Sequence, residues 1–157
     1  MAAWPGHPRN TVIPYPLLLT AHLFAALMFV GAVFFEVLIL GSALAQVSAA
    51  TRQRIEAAIA RRARRVMPWV LAVLYASGLG MAWHYRAALA QPLASRFALL
   101  LALKIALALS VLGHFAVAMA TRGHGPRIER RFRRIHLGVF CHMLGIVLLA
   151  KAMFHLS

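Results

Sequence analysis

Residues 15–44 read YPLLLTAHLFAALMFVGAVFFEVLILGSAL. Thirty residues pass with two strongly polar ionisable side chains, His22 and Glu36. A helix needs only about 20 apolar residues to cross the roughly 30 Å hydrocarbon core of a bilayer, so this run spans it with length to spare for tilt or projection. Pro14 and Pro16 sit at its start, where a missing N–H costs little. The segment before it lacks the charged n-region and cleavage site of a secretory signal, and the run reads as a retained helix.

Three more apolar runs follow. VMPWVLAVLYASGLGMAWH covers 66–84, FALLLALKIALALSVLGHFAVAMA covers 97–120, and IHLGVFCHMLGIVLLAKAMF covers 135–154. Pro68 falls in the first turn of the second run as so delimited, a tolerated place. Gly78 and Gly80 allow close helix approach, and Gly138 and Gly145 share a face of the fourth run. The expectation is an all-α, four-helix transmembrane bundle that occupies residues 1–157 as a single integral membrane domain. Composition agrees: 62% of residues are hydrophobic and 13% charged, about half the charge of an ordinary soluble domain.

The net charge is +14. Arg52, Arg54, Arg61, Arg62, Arg64 and Arg65 lie between the first two runs. Arg122, Arg127, Arg130, Arg131, Arg133 and Arg134 lie between the last two, against Arg9, Arg86 and Arg96 on the other side. This bias puts both basic loops in the cytoplasm and both termini on the outer, periplasmic face of a bacterial inner membrane. The arginines flank spans and accompany no nucleic-acid-binding module, so contact with anionic headgroups is expected and nucleic acid is not. Residues 46–65 read as a helical extension or an amphipathic surface helix. The lone Cys141 rules out an internal disulfide, thioredoxin chemistry and c-type haem attachment.

Ionisable groups at membrane depth are costly and therefore candidates for function. Counting about 1.5 Å per residue, His22 and Lys104 both lie roughly 10 Å below the outer face, with His84 at the outer end of the second span. His114 and His142 lie roughly 10 Å from the inner face, and His136 is shallower. Lys104 is too deep to snorkel comfortably, whereas Lys151 is near an end. Depth-matched pairs on separate helices suit a b-type haem, whose iron takes axial histidines. The outer set is His22 with His84, or His22 with Lys104 nearby as a propionate or proton partner, and the inner pair is His114 with His142. Copper is the rival cofactor, since imidazole and thioether suit Cu(I), but Met28, Met67, Met81, Met119, Met143 and Met153 are scattered in depth. A cofactor-free structural subunit is the third reading.

The chain resembles the small four-helix membrane proteins grouped around HemJ-type protoporphyrinogen oxidase and the membrane domain of CopD-type copper-resistance proteins. The resemblance rests on an aromatic residue and His22 in YPLLLTAHLFAALMFVGAVFF, the basic cluster and glycines of RRARRVMPWVLAVLYASGLGMAW, Lys104 and His114 in LKIALALSVLGHFAVAMATR, and Lys151 in LLAKAMF. It implies haem b, His22 as axial ligand, Lys104 as its functional and catalytic companion, and oxidation of a porphyrin. A quinone-like redox partner also fits that chemistry, and four short helices suggest a homodimer.

Overall fold

The structure, a computed structural model, describes residues 13–120 and 126–153, and in the last helix the side chains of 135 and 137–152. Arg9, Arg122 and His155 lie outside the described residues, as do the side chains of His136 and of the arginines from Arg127 to Arg134. Every regular element is helical: α1 (Tyr15–Phe34), a π-helical stretch (Phe35–Leu40), α2 (Gly41–Leu44), α3 (Ala49–His84), α4 (Arg86–Ala90), α5 (Arg96–Ala120) and α6 (Pro126–Met153).

The first expected span is continuous from Tyr15 to Leu44, and it contains an unforeseen π-helical stretch. Each residue there adds slack to the backbone ladder, and Ser42 helps close it. Its hydroxyl donates to the Ile39 carbonyl at 2.9 Å and lies 3.2 Å from that of Leu38.

The second span differs more. Instead of starting at Val66, α3 runs unbroken for 36 residues from Ala49. Ser48 caps it by accepting the Thr51 N–H at 3.3 Å, and the Ala- and Arg-rich stretch that follows favours helix. Pro68 is consequently inside the helix rather than in its first turn. There it removes one intrahelical donor. Residues 49–65 are thus the helical extension, not a separate surface helix. Ser95 caps α5 by accepting the Ala98 N–H at 3.1 Å, which places the third span within a residue of its expected start.

The helices form two antiparallel hairpins. In the first, α1 packs on α3: Gly80 lies against Leu18, and Gly78 against His22. In the second, α5 packs on α6, with Leu107 against Gly145, Ser110 against His142 and His114 against Gly138. Contacts of α6 with α1 and the π-helical stretch join the hairpins. The shared core holds Ala25, Phe29 and Val33 of α1, Val70 and Leu71 of α3, Val111 of α5, and Val139 and Met143 of α6.

Outside this narrow core much of the helix surface is apolar. Leu27 is 70% exposed and Leu79 73%. A water-soluble fold does not leave such a surface wet, whereas lipid solvates it. Among the described residues three helical runs are long and apolar enough to cross a bilayer: Tyr15–Leu44, Ala49–His84 and Arg96–Ala120. The chain is therefore an all-α, multi-span membrane protein. The apolar part of α6 is shorter, Leu137–Ala152. At one end of the bundle Tyr15, Tyr85 and Phe97 gather, with ring centroids of 6.4 Å (Tyr15–Tyr85) and 5.4 Å (Tyr85–Phe97). Such an aromatic cluster suits a membrane–water interface.

Lipid is as apolar as leucine, so core contacts here stabilise through packing rather than escape from water. Leu71→Ala should cost about 2 kcal/mol, the low end for a core truncation, read as a lower unfolding midpoint in detergent. Leu79→Ala, on the lipid face, should stay within about 0.5 kcal/mol of wild type.

Candidate functional site

Four histidines share one local device. The Nδ1–H of His22 donates to the Leu74 carbonyl at 2.9 Å, across from α1 to α3. That of His84 donates to the Gly80 carbonyl at 3.0 Å. His114 donates to the Ser110 carbonyl and His142 to the Gly138 carbonyl, each at 2.7 Å and each one turn back on its own helix. A carbonyl oxygen only accepts, so the ring proton in each case sits on Nδ1. The neutral ring then keeps its lone pair on Nε2. This is the tautomer that a metal-ligating histidine takes when its second nitrogen is held by a backbone carbonyl.

Among the described residues His142 alone of the four has a hydrogen-bond partner for Nε2, the Ser110 hydroxyl. His22 is half-buried, and no hydrogen bond reaches its Nε2 among the described residues. Its ring lies on the bare backbone of Gly78, where an added Cβ would approach Cε1 to 3.1 Å and Nδ1 to 3.3 Å. Ser77, buried beneath, donates to the Val73 carbonyl at 2.6 Å and places its oxygen 3.3 Å from Nδ1. Gly78 and Ser77 thus fix the imidazole from below while Leu74 fixes its tautomer.

Lys104, on α5 of the other hairpin, makes no hydrogen bond to this ring and acts on it through its charge alone. It is half-buried, and its ammonium makes no hydrogen bond or ion pair among the described residues. One turn further along α5, the Ala108 carbonyl accepts the Tyr75 hydroxyl of α3. Here α3 and α5 approach only loosely. Pro68, Leu71, Ala72, Tyr75, Leu112 and Phe115 line an apolar groove of about 270 Å³ between them.

His84 is not brought to His22. It is exposed, and its ring meets Tyr15 edge-on at 5.4 Å. His22 is level with Gly78, and six residues of helix put His84 about 9 Å further along the axis. His114 and His142, by contrast, do meet, with ring centroids 5.3 Å apart and planes inclined by 51°. Two imidazoles bound to opposite faces of one iron hold their nitrogens about 4 Å apart and their centroids roughly 6 Å apart. The inner pair is closer than that. The Ser110 hydroxyl also occupies its space, donating to His142 Nε2 at 3.2 Å. As arranged, these rings do not fit as the two axial ligands of a shared haem. They tie α5 to α6.

Lys151 is exposed in the last turn of α6, as its snorkelling position implied. Among the described residues no group of three or more His, Cys, Asp or Glu side chains could hold a metal ion. A porphyrin brings four nitrogens of its own, so one well-prepared histidine is sufficient for haem, whereas copper or zinc would draw all its ligands from the chain. The signal for Leu74, Ser77 and Gly78 as partners of His22 was present in the sequence only as a glycine and a serine of a small-residue stretch.

Gly78→Ala should displace the His22 ring by a few tenths of an ångström and loosen its bond to Leu74. In nuclear magnetic resonance the His22 Nδ1 proton should shift and exchange faster. Gly113→Ala, where an added Cβ meets nothing within 4 Å, should leave that resonance unchanged. No family model, no curated protein and no solved structure matches this chain.

Proposed function

We propose that this chain is a four-pass membrane protein that binds b-type haem through His22 and takes part in electron transfer. The cross-helix bond of His22 carries the reading: Leu74 of α3 holds the proton on Nδ1, so Nε2 offers its lone pair at membrane depth, where a free imidazole acceptor is expensive to keep. Bound haem would supply one-electron chemistry. Leu74 and Ser77 orient the ring, Gly78 gives it room, and the surrounding apolar side chains exclude water. Lys104 supplies the positive charge beside it, suited to an anionic group of a cofactor or substrate, or to holding a proton during turnover. Oxidation of a porphyrinogen is the substrate reading that the HemJ-type resemblance suggests, with a quinone-like molecule as electron acceptor.

Crossing by α6 is supported by its antiparallel course along α5, from His114 with Gly138 to Leu107 with Gly145. The twelve arginines on one side against three on the other support external termini and an inner-membrane location.

Protein extracted from membranes in mild detergent should be red, with a Soret band that moves on dithionite reduction. His22→Ala should abolish the band, and His142→Ala should retain it. A colourless preparation without extractable porphyrin, from cells supplied with haem precursor, would overturn the proposal. A band unchanged by His22→Ala would move the ligand elsewhere.

A further inference from the structure

The 36 residues of α3 make a rod of about 54 Å, against roughly 30 Å of hydrocarbon. Measured from the aromatic end, its N-terminal part overhangs the core by about 24 Å. At 100° per residue, Arg54, Arg61 and Arg65 fall within about 40° of one another and form a stripe along that overhang. Ala50 and Ala57 leave a low floor beside it, and with Gln53, Arg54 and Arg61 they line an open groove of about 400 Å³.

No acid neutralises this stripe among the described residues. Glu56 lies on the opposite side of the helix, held by Arg52 at 2.7 Å. A partner that engages this stripe brings negative charge.

The neighbouring helix shows where that partner is. Gly80 with Leu18 and Gly78 with His22 set the antiparallel register. Carried along, it places Phe35–Leu40 level with the arginines around Arg61. There Phe35, Leu38 and Ile39 are each close to half exposed. At one depth the hairpin thus presents mainly apolar side chains, with Glu36 among them, on one helix and guanidinium groups on the other. Water would leave the first unsolvated, and hydrocarbon would strand the second. The headgroup layer suits both, with apolar side chains at the acyl boundary and arginines on phosphate oxygens.

We infer that this tip of the α1–α3 hairpin is a binding surface for anionic phospholipid headgroups, with Arg54, Arg61 and Arg65 engaging their phosphates. The surface is independent of the haem reading and stands or falls separately.

The test uses full-length protein in neutral detergent, equilibrated with equimolar phosphatidylglycerol and phosphatidylcholine and weighed by native mass spectrometry. Three arginines at a headgroup layer correspond to a preference on the order of a hundredfold for the anionic lipid. The triple variant R54Q/R61Q/R65Q should reduce it to about twofold, while Arg86→Gln at the far end leaves it intact. Raising salt on the wild-type protein should erode the preference without any substitution, a readout that does not depend on the variant folding. A wild-type protein with no preference, or a folded triple variant that keeps it, would overturn the inference. Displacement of phosphatidylglycerol by millimolar inorganic phosphate would also overturn it, since the site would then be one for free anions.

Discussion

In hydrocarbon every backbone and side-chain polar group must find its partner inside the protein, and this constraint shapes the molecule from helices to histidines. The backbone meets it by being helical almost throughout. The imidazoles meet it by handing Nδ1–H to a main-chain carbonyl, four times over. A helix carbonyl has a second lone pair to offer, so the bond costs the helix little. It also settles the tautomer, which a histidine in water leaves open. The same economy of partners that makes these residues tolerable in lipid makes their Nε2 atoms chemically defined.

The sequence carried most of the architecture because lipid and water impose different compositions. The run from Tyr15 to Leu44 and the start of α5 near Phe97 were legible from apolar length alone. The start of α3 was not. Hydropathy changes at Val66, but helix formation does not: Ser48 caps a stretch of alanine and arginine that is as helical as the apolar part beyond it. Pro68 looked like a beginning for the same reason. The π-helical stretch left no periodicity to read, because the residues of Phe35–Leu40 are apolar on every side but for Glu36.

The ionisable residues were found, but depth arithmetic ranks them only along the membrane normal. It matched His22 with Lys104 and His114 with His142; the rings of the second pair meet, whereas the first pair is linked by charge alone. It says nothing about rotation around the helix axis, which is what turns His84 to Tyr15 and gives Ser110 to His142. Small residues decide those rotations. Gly78 and Gly138 are where the facing imidazoles lie, and a stretch of sequence shows a glycine without showing what rests on it.

The two halves of the bundle therefore use the same side chain for different ends. His114 and His142 belong to helices of one hairpin, and their rings pack together with Ser110 between α5 and α6. Within that hairpin His142 bonds through both ring nitrogens, while among the described residues no hydrogen bond reaches Nε2 of His114. His22 bonds to α3 through Nδ1, and Lys104 of the other hairpin acts on it through its charge. Between those hairpins α3 and α5 stay loosely joined, with Tyr75 bonded to Ala108 beside an apolar groove. Chemistry needs a group whose bonding is incomplete in a place a partner can reach. Among the described residues His22 and His114 both leave Nε2 without a hydrogen bond, and of these two it is His22 whose ring is held by a neighbouring helix rather than by its own.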